Sequence, residues 1–425
     1  MSFLPPCASF IILSAMKQSG RLAFAVGLAV FCAGYLLCGS SLVHAAPADP
    51  ARVEFNDGSL ILGYAWWDED ELILYTVNPY GAIMWRHQVL TGARDKLLSA
   101  TELAQVLGKQ AAWEELSFQL SPHRRYIAFY SPPGGPVATP LFRVVDLQTD
   151  RRSAMRFSKT PEDFLVGSHV WDDTDKYVYV AAQPFSAVES QVSLGRLSLE
   201  TGAFMPLARK EQVDLISGLA YDPFTNSLVV TARSFGGEYP RGEFLLRYSL
   251  SDNALVLLHE AYQYRGVEVV ATGQILAGAV AKEAFKGGSF PGFLMVDESF
   301  ELPETPVEGG RARYVSRILL FPPDGEPETL LTSQDRGFDF QPALSPRGDY
   351  LGFLRLFYRL PYAVRVRMPE HEVFLCLKER NGPQEYLVMR DAESFCFSPG
   401  SHYLAARASD KSYLLVFELP RTEAG

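Results

Sequence analysis

Cysteine, histidine and basic charge are all scarce in this 425-residue chain, and each shortage excludes something. Of five cysteines, Cys7, Cys32 and Cys38 lie in the first 38 residues, leaving Cys376 and Cys396 for the rest. Two thiols make no disulfide scaffold. They can pair in an oxidising compartment or stay apart, and their places on non-neighbouring strands of the repeat described below favour two buried thiols. Six of the seven histidines follow residue 45, at 87, 123, 169, 259, 371 and 402, with no close pair. H-E-x-x-H, paired C-x-x-C, Walker and dinucleotide-binding motifs are absent, so no catalytic residue and no cofactor is assigned. None of Asn56, Asn78, Asn226, Asn253 or Asn381 begins an N-x-Ser/Thr sequon, which speaks against a glycosylated eukaryotic secreted protein.

Lys plus Arg number 39 against 49 Asp plus Glu, a net charge of -10. A broad basic surface is excluded, and with it general binding to nucleic acid or anionic membranes. Long apolar runs are equally rare. The one candidate is Leu22 to Cys38, which follows Lys17 and Arg21 and precedes the small-residue stretch ending Val43-His44-Ala45. Residues 1–45 hold no acidic side chain, and the layout is that of a secretory signal peptide, with Met16 as the expected initiator and cleavage after Ala45. The alternative is a retained anchor, since 17 apolar residues stand at the short limit for a span. Residues 46–425 carry no further span and are expected to form one exported domain in the periplasm or outside the cell, a bacterial envelope protein.

What the chain has in quantity is turn-formers and aromatics: Gly 33, Pro 28, Phe 28 and Tyr 20. That balance favours strands joined by turns. A unit recurs, in which an apolar residue leads into a Ser-Pro or Asp-rich turn and then an apolar strand. The clearest copies are Gln119 to Phe129, Ala343 to Phe353 and Cys396 to Ala406. Looser copies begin at Val170, Ala220, Trp66 and Ala271. Anchors at 66, 121, 172, 222, 272, 345 and 398 are spaced by 55, 51, 50, 50, 73 and 53 residues. Each unit has room for four strands, the period and content of a β-propeller blade. The expected fold is an all-β propeller of seven four-stranded blades, with six or eight as alternatives. The amino-terminal strand, placed at Ser59 to Tyr64, closes the last blade. A short helix is expected near 95–115, capped by Ser99 or Thr101 and carrying Leu103, Val106 and Leu107, and a loop insertion near 282–313.

The Ser-Pro-x-Gly-x-Tyr-Leu-x-Phe turn at Ser345 to Phe353 and the Val-Val-Asp-Leu-x-Thr turn at Val144 to Thr149 resemble the WD-like repeats of TolB-type propellers. Similar repeats occur in the propellers of prolyl-oligopeptidase-type peptidases. The resemblance spans about residues 53 to 420 and implies an exported propeller, without transferring an activity. No hydrolase domain is expected after the last unit, and no G-x-S-x-G elbow occurs.

Two sets of residues are candidates for function. Arg355, Tyr358, Arg359, Tyr362, Arg365 and Arg367 interleave arginine with aromatics between two strands of the sixth unit, and Arg233, Tyr239 and Arg241 repeat that chemistry two units earlier. Arg and Tyr are favoured at interfaces, and these connections fall on the face of the long loops, where propellers bind. The plain alternative is that Arg365 and Arg367 alternate outward on a strand. The expected function is therefore non-catalytic binding of an envelope protein or an acidic ligand. The alternative is a propeller hydrolase or lyase with a central funnel of Glu115, Glu268 and Asp339, three carboxylates of like strand parity that can bind a divalent cation.

Overall fold

The computed structural model describes residues 49–107, 116–130, 142–148, 164–184, 192–238, 242–285, 311–323, 325–333, 337–358, 371–382 and 385–420. Contacts divide the chain into Met1–Ala45 and Ala46–Gly425, and the second unit is a β-propeller. After a first short strand, β1 (Ala51–Glu54), the first blade comprises β2 (Leu60–Asp68), β3 (Glu71–Asn78), β4 (Gly81–Gln88) and β5 (Arg94–Leu98). A helix, α1 (Ala100–Leu107), leads to the second blade, β6 (Ser117–Leu120), β7 (Tyr126–Tyr130) and β8 (Phe142–Asp146). The third is β9 (Phe164–Trp171), β10 (Tyr177–Pro184), β11 (Val192–Ser198) and β12 (Phe204–Arg209). The fourth is β13 (Val213–Asp222), β14 (Ser227–Phe235), β15 (Glu243–Ser249) and β16 (Leu255–Ala261). The fifth is β17 (Gln263–Val269), β18 (Ile275–Phe285), β19 (Arg311–Phe321) and β20 (Glu328–Thr332). The sixth is β21 (Gly337–Leu344), β22 (Tyr350–Tyr358), β23 (His371–Glu379) and β24 (Glu385–Arg390). The seventh is β25 (Ala392–Phe397), β26 (Tyr403–Ala408) and β27 (Tyr413–Glu418). Every pairing is antiparallel, and each blade is built outward in chain order from its innermost strand; among the described residues the second blade shows three strands.

The turn chemistry explains why Ser and Asp interchange at the anchors. Ser121, Ser345 and Ser398 each accept the amide of the residue five ahead on the side-chain oxygen, at 3.1, 3.0 and 2.9 Å for Tyr126, Tyr350 and Tyr403. Asp172 does the same for Tyr177 at 2.8 Å. Either side chain supplies an acceptor for an amide the reversal would otherwise orphan.

Second strands are covered on both faces by neighbouring blades, so they are apolar throughout rather than alternating. Leu72, Ile73, Leu74 and Tyr75 are all fully buried. Ile73 and Tyr75 pack with Ile127 and Phe129 of the second blade, while Leu72 and Leu74 pack with Ala405, Leu414 and Val416 of the seventh. Strand periodicity thus sends alternate residues into opposite seams.

Ring closure uses β1, which pairs with β27 from Ala51↔Val416 to Glu54↔Tyr413. This corrects the expectation for Ser59 to Tyr64: from Leu60 onward that stretch belongs to β2, the innermost strand of the first blade. Only Val53 of the closing strand is buried, so it lacks the apolar run that drew attention to its neighbour. Ser99 caps α1 in a capping box: its amide and hydroxyl meet Glu102 Oε2 at 2.8 and 2.7 Å. Leu103, Val106 and Leu107 are its buried face. Asp95 to Leu98 is strand β5 rather than helix, and the ends of the 282–313 insertion continue β18 and β19, with Phe285 opposite Arg311. Cys376 and Cys396 are free thiols. No helix of the described residues is long and apolar enough to cross a membrane.

Candidate functional site

Strand order sets the two faces of the ring apart. On one, the turns between first and second strands span two to five residues in every blade. On the other, connections between second and third strands run 7 to 25 residues in the second to sixth blades, at 131–141, 185–191, 236–242, 286–310 and 359–370. The first and seventh blades close there with only 79–80 and 409–412. Tyr80, at the tip of the shorter of these, is 94% exposed.

Of the arginine–aromatic set, Arg233 lies near the end of β14 with its side chain 58% exposed. Its Nε donates to Glu243 Oε1 at 3.2 Å. Glu243 is itself buried and accepts the Tyr264 amide at 2.8 Å, so the guanidinium is held by a carboxylate fixed to the next blade. Tyr358 is the last residue of β22, opposite His371. Tyr239, Arg241, Arg359, Tyr362, Arg365 and Arg367 lie outside the described residues.

Arg355 stands apart from that set. It sits in mid-strand, 15% exposed, opposite Asp339 in the β21–β22 register. Nε reaches Asp339 Oδ1 at 2.6 Å and Nη2 reaches Oδ2 at 3.1 Å, a bidentate pair, while Nη1 meets Glu385. Two residues with different expected roles, one in a binding patch and one in a metal funnel, are thus each other's partner. Burial pushes the Asp339 carboxyl up, and Arg355 offsets that by favouring the charged form. The partners Glu243 and Glu385 escaped the sequence reading: Glu243 opens β15, which pairs with the strand of Arg233, whereas Glu385 stands on β24, two strands from Arg355, so only the folded sheet reveals the pairings.

The two described funnel carboxylates, Glu268 and Asp339, have different partners. Glu115 lies outside the described residues. Glu268 Oε1 accepts the Leu344 amide at 2.8 Å, from the channel-side edge of β21. Asp339 is five residues earlier on that strand, ~16 Å away along it. Burial raises the Glu268 carboxyl to about 7, against the Leu344 hydrogen bond. Among the described residues no group of three or more His, Cys, Asp or Glu side chains is placed to hold a metal ion. His402 and His123 each lie beside a carboxylate of the next blade, Glu69 and Asp175.

No protein-family model and no curated protein sequence matches the chain. Solved structures do. Oligogalacturonate lyase from Vibrio parahaemolyticus superposes with a TM-score of 0.57 at 9% identity, over 89% of this chain and 96% of that one. Kuenenia stuttgartiensis hydrazine synthase gives 0.51 at 13% identity, over 86% and 97%. A putative TolB from Agrobacterium tumefaciens gives 0.43 at 11% identity, over 79% and 97%. The first two likenesses agree with the propeller fold and show nothing finer.

Proposed function

We propose that the protein is an exported, periplasmic binding propeller that engages an envelope protein or an acidic ligand through the face of its long connections. The observation that carries this is the asymmetry of that face: five successive blades extend it, while the opposite face is kept to tight reversals. Rigid rings with long connections on one side are suited to partner binding. Arg233 supports the reading, because it is exposed there and its orientation is fixed by Glu243. Tyr239, Arg241, Arg359, Tyr362, Arg365 and Arg367 belong to the same connections by sequence, and Tyr358 ends the strand that leads into one of them. Arg355 is left out, since its guanidinium is occupied within the blade.

The test is crosslinking of the tagged full-length protein in its host, with mass spectrometry of the captured species. Capture should be lost when Arg233, Arg359, Arg365 and Arg367 are replaced by Glu, and kept when Phe224, exposed on the opposite face, is replaced by Ser. Equal capture by both variants overturns the assignment of the face. Export is tested separately by amino-terminal sequencing, with Ala46 as the expected first residue.

One observation favours a second reading, a lyase or hydrolase acting in the channel. Glu268 holds a carboxyl that changes charge near neutrality, a property suited to general acid–base work. Turnover lost in Glu268→Gln, with folding intact, would establish it.

A further inference from the structure

The strand that closes the ring, β1, buries only Val53 of its own length, and its exposed Arg52 and Glu54 pair with each other at 2.6 Å. Phe55, directly after it, packs against the cluster of Leu72, Leu74 and Val416 with Trp85 beside it, and so ties β1 to the first blade. Its ring centroid lies 5.7 Å from that of Trp85 and 4.2 Å from the guanidinium carbon of Arg94. Trp85 is fixed through Nε1, which donates to Thr76 Oγ1 at 3.0 Å. Arg94 is fixed by His87, the residue opposite it in the β4–β5 register: its Nε donates to His87 Nδ1 at 3.2 Å.

That last hydrogen bond requires a neutral imidazole. A guanidinium is always charged and has donors only, so Nδ1 must present its lone pair and the ring proton sits on Nε2. His87 is 3% exposed, and nothing beside it favours a second proton. On its own face of the blade stand two cations, Arg94 and Lys96, the ammonium of the latter 5.6 Å from the Trp85 centroid. Strand alternation puts Glu71 and Asp95 on the opposite face, where Glu71 is bonded to Arg86. Arg52 and Glu54 take the parity opposite to Val53 on β1. The remaining ionisable side chains of the cluster, Tyr64, Tyr403 and Cys396, bring no carboxylate.

We propose that His87 is an acid-sensitive latch on the closing strand: its protonation drives Arg94 away from Phe55 and releases β1 from the ring. A second ring proton turns Nδ1 from acceptor into donor and sets a positive charge directly against the guanidinium. With Arg94 displaced, Phe55 loses one of its two ring contacts, and β1 keeps only Val53 in the core. Release leaves the outer edge of β27 without its partner strand. Burial, and after it the Arg94 charge, holds the imidazole down at about 4 against 6.5 when free. The latched state therefore binds fewer protons than the released one. Acid favours release, beginning below about pH 6.5 and levelling off near pH 4.

Hydrogen exchange of the full-length protein from pH 7 to pH 4, read by mass spectrometry and corrected for intrinsic rate, tests this. Over that range the opening of β1 is expected to rise about a hundredfold, while β14, inside the fourth blade, keeps its protection. In His87→Asn, whose amide oxygen accepts from Arg94 and does not titrate, β1 should stay protected at pH 4. In Phe55→Ser it should exchange fast already at pH 7. Protection of β1 that does not change with pH in the natural protein overturns the proposal. So does an equal loss in His87→Asn, or a loss shared by β1 and β14, which is global acid unfolding. Should His87→Asn fail to fold, Phe55→Ser decides, and a β1 as protected there at pH 7 as in the natural protein overturns the latch.

Discussion

Glu69 of the first blade and Ser398 of the seventh are joined by a 2.6 Å hydrogen bond from the serine hydroxyl to the carboxylate, across the point where the ring closes. The same carboxylate accepts the His402 amide at 2.9 Å and the Gly400 amide. His402 Nε2 accepts from Arg347 at 3.0 Å, which leaves Nδ1–H facing Glu69 at 3.1 Å. A turn of the sixth blade, one of the seventh and one of the first are thus linked in series. The second and third blades repeat the device, with Ser121 donating to Asp175 at 2.7 Å.

Removing the Glu69 carboxylate orphans several of these donors together. Glu69→Ala is expected to cost about 2 kcal/mol, the range of hydrogen bonds to a charged group. Urea unfolding measures it. A change below ~0.5 kcal/mol would mean that β1 closes the ring without the clasp.

The Asp339–Arg355 pair makes a sharper claim. Arg355→Met leaves a carboxylate that is 2% exposed without its bidentate partner, which is expected to cost about 3–5 kcal/mol. The double variant Asp339→Asn/Arg355→Met should recover much of that loss, because no fully buried charge remains uncompensated, Glu385 being about a third exposed. Chemical denaturation of both variants checks this, and failure of recovery would show that packing rather than charge dominates the site.

The blades are legible in the sequence because the Ser or Asp turn is a local hydrogen bond and so leaves a local signature, as at Ser345 and Tyr350. The helix is legible for the same reason, through Ser99 and Glu102. What escapes is non-local. Strand β1 buries one side chain and gains its place only by pairing with a strand some 360 residues away. The partnership of Asp339 with Arg355 depends on a register shift between Phe340 and Ala343 that no periodicity reveals.

Glu268 predicts a pH dependence. Its carboxyl lies near 7 when folded against 4.5 when free, so the folded state binds the extra proton. The associated stability is fully present below about pH 4.5 and is lost as pH rises through 7, by about 3 kcal/mol in all. Glu268→Gln should remove this fall and be more stable than the natural protein at pH 8. Denaturant midpoints of the two proteins at pH 5 and pH 8 give the comparison. Parallel pH profiles would place the folded carboxyl at its ordinary value.

Backbone strain gives a last, two-sided prediction on the innermost strands. Leu215 has φ 51° with its side chain 48% exposed, just before the bulge between Ile216 and Gly218. A branched side chain in the left-handed region costs ~1–2 kcal/mol, more than the entropy a glycine adds to the unfolded chain. Leu215→Gly is therefore expected to stabilise by about 0.5–1 kcal/mol. Gly266, in the corresponding bulge of β17, has φ 97°, and a Cβ there would meet Gln341 Cα at 3.1 Å and Pro342 Cδ at 3.3 Å. Gly266→Ala is expected to destabilise by about 1–3 kcal/mol. Opposite signs in urea unfolding are the expected result. The same sign for both would mean that the bulges relax when substituted, and that the channel wall is set by side-chain packing rather than by backbone conformation.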